Sequence, residues 1–258
     1  MKQGRIAFLH INVVPGAIQR NQYLIVEAVK YAAAVGAQWI ITPELAVSGL
    51  QFPQIVGTDW IQPQPDSWME RFCQLVKGLK RTVFISCPER DGRKLYNSVF
   101  VINSNGQIVG THRKINVASD SLAWSSAGQV VAPVECDGIN VGLLICSDMY
   151  TSDIAGGLKS KGAEILVSPA SWGPGIHGPN GEWEQRTQDT GLPLFVCNRT
   201  GAEKTIDFWK APSLVAKNGK RLLSHTLDRS AVLTFDWNFS TMAPLSSGYS
   251  VGHLRENR

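Results

Sequence analysis

The hydrophobic positions near the N-terminus follow a strand, helix, strand order. Residues 5–14 form an apolar run, Pro15 and Gly16 interrupt it, and residues 39–43 form a second run. Between the two runs, residues 17–37 carry apolar side chains at helical spacing, at Ile18, Ile25, Val29 and Ala32. A long amphipathic crossover between two strands predicts parallel pairing, with the helix packed on one face of a sheet.

The middle of the chain is dominated by closely spaced strand patterns. Residues 53–65 are typical of a loop, and residues 67–80 have helical spacing. Four strand candidates then follow, at residues 82–87, 96–103, 107–113 and 130–136. Asn105 and Gly106, between the second and the third, predict a two-residue hairpin.

After a second turn signal at Asp137 and Gly138, the opening pattern returns. The predicted elements are strand 140–146, helix 151–161, strand 164–169, helix 181–190, strand 193–198 and short strands at 212–216 and 222–236, with a turn at Asn218 and Gly219. Each half therefore predicts a sheet that buries one face under helices and the other against its twin. We expect a single α/β domain, 1–258, with four α-β-β-α layers. The composition of its tail, 238–258, is compatible with an extended conformation.

Composition narrows the possible functions. The 258 residues are 43% apolar and 18% charged, enough for one large core. The net charge of +4 is scattered along the chain, which argues against a nucleic-acid partner. No signal peptide or membrane span is evident, so we expect no membrane partner. Five cysteines without a CxxC pair predict reduced thiols in a cytoplasmic protein and no metal site.

Three reactive side chains follow three of the predicted strands. Glu44 follows residues 39–43, Lys114 follows residues 107–113, and Cys146 ends the run that begins at residue 140. A thiol attacks carbonyl carbon as the thiolate, so it needs a base such as Glu44. The Lys114 ammonium and the backbone N–H of Ser147 are suited to stabilise a tetrahedral intermediate. The pattern favours a nucleophilic hydrolase.

Each of these residues also has an ordinary structural interpretation. Cys146 in an apolar strand is often a small core residue. Glu44 is also suited to cap a helix that starts near Leu45, and Lys114 is also suited to be a solvated charge on an edge strand.

The local contexts of these residues resemble one known family. The three segments are Thr42-Pro43-Glu44-Leu45-Ala46-Val47-Ser48-Gly49-Leu50, His112-Arg113-Lys114-Ile115-Asn116 and Leu143-Leu144-Ile145-Cys146-Ser147-Asp148. They look like the three motifs of the nitrilase superfamily of carbon-nitrogen hydrolases, in that family's order and spacing. The resemblance implies a Glu44 base, a Lys114 stabiliser and a Cys146 nucleophile, in an α-β-β-α fold that usually dimerises.

The chain departs from the family pattern at one acid. The second glutamate expected after the lysine has no clear counterpart, and Asp120 is the only acid between Lys114 and Gly128. Asp120 either holds Lys114 or the substrate, or it is a solvated loop residue. Two aromatic residues near the strand ends, Trp124 and Trp172, are candidates for a pocket wall.

The leading hypothesis is an amidase-like enzyme that acts on a small linear amide or carbamoyl compound through a Cys146 thioester, with no cofactor. One alternative is a nitrilase with the same site, although Ser147 and Asp148 replace the Trp-Glu pair typical of true nitrilases. Another is a catalytically silent binding or regulatory relative. We also expect a homodimer or higher homo-oligomer, with the tail contributing to the contact.

Overall fold

Two β-sheets lie face to face between helices in the computed structural model, which describes residues 2–117, 124–175 and 178–254. Within these ranges the strands are β1 Gln3–His10, β2 Trp39–Ile41, β3 Thr82–Asp91, β4 Lys94–Ile102, β5 Ile108–Arg113, β6 Val134–Cys136, β7 Ile139–Leu143, β8 Ile165–Pro169, β9 Leu194–Cys197, β10 Ser213–Lys217, β11 Lys220–His225, β12 Ala231–Asn238, β13 Ala243–Pro244 and β14 Ser250–His253. The helices are α1 Ile18–Ala34, α2 Pro53–Val56, α3 Ser67–Leu79, α4 Ser152–Ser160 and α5 Glu182–Thr190, with a 3₁₀ helix at Cys146–Tyr150.

The first sheet has the order β13-β12-β1-β2-β3-β4-β5, and β14 also pairs with β12. The second sheet has the order β11-β10-β9-β8-β7-β6. Strands β1, β2 and β3 are parallel, as are β7, β8 and β9, as the crossover helices require. The α-β-β-α layering predicted from the sequence is confirmed.

Strand β1 shows how alternation divides the core. Ile6 and Phe8 face the second sheet and pack with its residues, whereas Ala7 and Leu9 belong to the core beneath α1 and α3. Phe8 meets Phe195 of the second sheet edge to face, with ring centroids 6.2 Å apart. Because both faces of the strand are buried, its sequence is a continuous apolar run.

The structure corrects two predicted boundaries. The single strand predicted at 222–236 is two strands, β11 and β12, which belong to different sheets. The polar pair Asp228 and Arg229 lies at the exposed crossing between them. The strand predicted to end at Cys146 ends at Leu143, and Cys146 begins the 3₁₀ helix.

The described part of the tail pairs with the first sheet of its own chain. Strand β14 pairs with β12 from Ala231 to Thr234, and the Leu254 N–H donates to the Ser230 carbonyl at 3.0 Å. This segment is polar because its side chains are largely exposed at the edge of the sheet, although its backbone is paired with β12.

Candidate active site

The strand ends bring Glu44 and Lys114 into direct contact. Glu44 lies three residues after β2, and Lys114 directly follows β5; both side chains are buried. The Lys114 Nζ atom is 2.6 Å from Glu44 Oε1. Burial lowers the pKa of Lys114, but the Glu44 carboxylate and, when it is ionised, the Cys146 sulfur outweigh that effect, so the pKa is raised above its ordinary value. Lys114 is therefore a fixed, buried cation and not a solvated edge charge.

Two further residues hold the Glu44 carboxylate in place. The Asn97 side chain donates to Oε1 at 2.8 Å, and the Ser171 backbone N–H donates to Oε2 at 3.1 Å. The Ser171 hydroxyl also donates to the Glu44 carbonyl at 2.9 Å. Both residues come from strands or strand ends that are distant in sequence, and no local pattern assigned them a role. These contacts fix the Glu44 carboxylate in its position beside Lys114.

Cys146 occupies a sharp turn. Its φ angle of 47° is unusual for a residue other than glycine, and its side chain is 6% exposed. Burial and the neighbouring Glu44 carboxylate raise the pKa of the Cys146 thiol above its usual range, while Lys114 and the Ser171 N–H act in the opposite direction. The thiol is thus protonated at rest, beside a carboxylate able to accept its proton.

A buried carboxylate joins the two segments that carry Lys114 and Cys146. Asp148 Oδ1 accepts hydrogen bonds from the backbone N–H groups of Ile115 and Asn116, at 2.9 and 2.8 Å. Its Oδ2 atom accepts from the Ile145 N–H at 2.9 Å and lies 2.8 Å from His112 Nε2. Burial raises the pKa of Asp148, but these hydrogen bonds, that of His112 first, hold it below its usual range.

The remaining predicted site residues have different surroundings. The Ser147 hydroxyl donates to the Asn116 carbonyl at 2.6 Å. Trp172 is buried and packs edge to face on Tyr150, with centroids 5.0 Å apart. Trp124 packs in the same way on Phe52, in an apolar cluster that includes Leu45. Asp120 lies outside the described residues.

All five cysteines are buried and free of disulfides. In the described ranges, no three His, Cys, Asp or Glu side chains are grouped as metal ligands would be. None of the helices there has the length and apolar character to cross a bilayer.

Comparison with known proteins identifies the family of this chain. The carbon-nitrogen hydrolase family model matches residues 5–246. The chain therefore belongs to the carbon-nitrogen hydrolases of the nitrilase superfamily.

Individual relatives are distant. A probable nitrilase of Schizosaccharomyces pombe is 22% identical over 222 residues, covering 81% of this chain and 79% of the relative. A citrullinase of Francisella tularensis is 30% identical over 196 residues, covering 68% and 67%. An amidase mutant from Nesterenkonia sp. AN1, solved with the acetamide moiety of fluoroacetamide added to its active site cysteine, is 21% identical, with a TM-score of 0.80 and coverage of 93% and 92%.

Proposed function

We propose that this hydrolase is an amidase that cleaves the C–N bond of a small linear amide or carbamoyl compound through a thioester on Cys146. The observation that carries the proposal is the buried contact of 2.6 Å between Glu44 and Lys114, beside a thiol whose pKa responds to both. A base, a cation and a nucleophile in one buried site are the groups that acyl transfer needs.

The proposed reaction has two stages. Glu44 accepts the Cys146 proton as sulfur bonds to the carbonyl carbon, and Lys114 with the Ser147 backbone N–H stabilises the oxyanion. The C–N bond then breaks, and Glu44 returns the proton to the departing nitrogen. Water, deprotonated by Glu44, attacks the thioester and releases the acid and the free thiol. Water is the only co-reactant.

Two relatives support this chemistry by analogy. The amidase mutant from Nesterenkonia carries its adduct at the active site cysteine, and the other relative is named for citrulline, whose ureido group contains a carbamoyl C–N bond. A nitrile is the second candidate, because one relative is a probable nitrilase. Attack on a nitrile would use the same thiol and would give a thioimidate before the thioester.

Peptide mapping by mass spectrometry after incubation with fluoroacetamide tests the nucleophile. We expect addition of an acetamide moiety at Cys146, and ammonia release from a panel of small amides. The matched control is Cys73→Ser, since Cys73 is also slightly exposed, at 8%. The control should leave the Cys146 adduct unchanged, whereas Cys146→Ala should abolish both adduct and turnover.

The outcomes separate the candidates. Turnover of nitriles but not of the matching amides would favour the nitrilase alternative. The absence of both the adduct and turnover would favour a catalytically silent relative. Amide turnover above about one per cent of the original rate in Cys146→Ala would rule out Cys146 as the nucleophile, since its loss typically costs many orders of magnitude.

A further inference from the structure

Tyr150 connects the protein surface with the buried thiol. It ends the 3₁₀ helix that Cys146 begins, and it is 46% exposed, whereas Cys146 is 6% exposed. Its ring packs edge to face on Trp172 at 71°, and Trp172 packs in turn on the fully buried Trp183, with centroids 5.4 Å apart. The three rings form an aromatic row that runs from the half-exposed Tyr150 to the fully buried Trp183.

Tyr150 lies on the same 3₁₀ helix as Cys146, and its ring packs on Trp172. Trp172 follows Ser171, whose backbone N–H binds Glu44. Burial raises the pKa of Tyr150, as do Cys146 and Glu182, while a hydrogen bond with Trp172 and the charge of Lys114 act in the opposite direction. The hydroxyl is therefore neutral near pH 7. The additional anion close to it is Glu182, on the first turn of α5.

The cations with buried or half-buried side chains on the segments around the thiol are already paired, whereas Lys159 on α4 and Lys161 just after it are exposed. In the part of the chain that the structure describes, these pairs are Lys114 with Glu44, Arg113 with Glu89, Arg186 with Asp189 and Arg199 with Glu203. The sequence of residues 118–123 and 176–177 contains no Lys or Arg, and His177 is its one basic residue. Lys204 and Lys210 lie on an exposed stretch of the loop after β9, where water and salt screen their charge.

A carboxylate-bearing substrate would meet unfavourable surroundings here. The face of an aromatic ring is the negative side of its quadrupole, and an anion that leaves water without a cationic partner pays a large desolvation cost. The charge of Glu182 adds like-charge repulsion. An apolar or aromatic substituent would instead bury its surface against Tyr150 and Trp172.

We propose that Tyr150 and Trp172 form an uncharged specificity wall, which selects amides with a neutral apolar or aromatic substituent over amides that carry a carboxylate. The inference rests on the proposed amidase function and narrows its substrate class. Tyr150 is the specificity-determining residue of the pair, because it is the more exposed.

The test compares two amides of equal shape. The amide 5-methylhexanamide ends in an isopropyl group where glutaramate has a carboxylate, and both have three methylenes before the amide. We expect kcat/KM to be at least roughly tenfold higher for 5-methylhexanamide, since the carboxylate would be desolvated without a partner. Tyr150→Arg should shift the ratio toward glutaramate by roughly tenfold or more. Tyr150→Phe, the matched control, should keep the original preference because it adds no charge.

Equal kcat/KM values, or a preference for glutaramate in the unmodified protein, would overturn the inference while leaving the amidase proposal intact. An unchanged ratio in a folded Tyr150→Arg protein would overturn the role of Tyr150; Tyr150→Lys supplies the same charge if the arginine variant does not fold. If neither amide is hydrolysed, protection of Cys146 against iodoacetamide still decides the inference. Stronger protection by 5-methylhexanamide supports it, and equal, absent or reversed protection overturns it.

Discussion

His112 Nε2 lies 2.8 Å from Asp148 Oδ2, and both side chains are buried. The contact joins the end of strand β5, which leads into Lys114, to the 3₁₀ helix that begins at Cys146. Asp148 extends the link through the backbone N–H groups of Ile115 and Ile145. The relative positions of Lys114 and Cys146, the proposed nucleophile, therefore depend on one carboxylate.

We expect Asp148→Asn to destabilise the protein by about 2–4 kcal/mol, because the amide nitrogen cannot accept the hydrogen bonds that the lost oxygen accepted. Thermal or denaturant unfolding measures this change. Asp59→Asn, at an exposed acid, is the control and should change stability by less than about 0.5 kcal/mol. An Asp148→Asn protein as stable as the control would show that the carboxylate does not hold the two segments together.

The second prediction concerns Lys114. Lys114→Met keeps similar bulk but removes the charge, so kcat should fall by roughly a hundredfold or more, as for loss of an oxyanion stabiliser. Steady-state kinetics on an amide turned over by the unmodified enzyme measures the effect. A rise in KM alone would make Lys114 a substrate-binding residue and contradict the proposed role. Arg113→Met, at the neighbouring cation paired with Glu89, is the matched control and should lower kcat less.

The strand ends could be predicted from the sequence because the hydrophobic pattern that marks them is local. Glu44 and Lys114 each follow an apolar run, and a run of this kind predicts a buried strand whatever its partners are. The pairing of His112 with Asp148 joins residues 36 apart in sequence, and their contact depends on how the two sheets pack. For the same reason the sequence did not predict a role for Tyr150, since its position beside Trp172 arises only when the 3₁₀ helix meets the loop after β8.

The third prediction concerns Asp120, which stays an expectation from the sequence. If Asp120 replaces the second glutamate of the family, Asp120→Asn should lower kcat by at least about tenfold, since a polar group that aligns a catalytic residue would be lost. The same kinetic assay measures it, with Asp59→Asn as the control at an exposed acid. A rate within twofold of the original would instead assign Asp120 to a solvated loop.

The fourth prediction concerns stability in acid. His10 is fully buried, with Nδ1 3.0 Å from the Ser213 hydroxyl, and burial lowers its pKa from 6.5 to about 4. His225 and Arg199 lower this pKa further, and the backbone carbonyls of Leu227 and Asn198 oppose them. Between pH 6.5 and 4 the unfolded chain binds a proton at this position and the folded chain does not, so stability falls as the pH falls.

His10 should therefore account for a loss of about 3 kcal/mol in the free energy of unfolding between pH 7 and 4, at one pKa unit per 1.36 kcal/mol. Denaturant unfolding at several pH values measures this slope. His10→Gln should remove that part of the slope, whatever its effect at pH 7. The control is His253→Gln, at an exposed histidine, which should keep it. An unchanged slope in His10→Gln would mean that other groups cause the acid sensitivity.

The fifth prediction is assembly. We expect a homodimer in solution, and light scattering at micromolar concentration should give about twice the chain mass of 28.2 kDa.

Deletion of the tail would also uncover β12, so surface substitutions test the contact more cleanly. Leu245→Asp, at a tail residue that is 54% exposed, should weaken the dimer if the tail contributes. Val109→Asp, on β5 at the far edge of the same sheet, is the matched control and should leave the dimer intact. A mass near 28.2 kDa for the unmodified protein would reject the dimer. Equal dimer stability in both variants would reject the role of the tail, since Leu245 would then lie outside the contact.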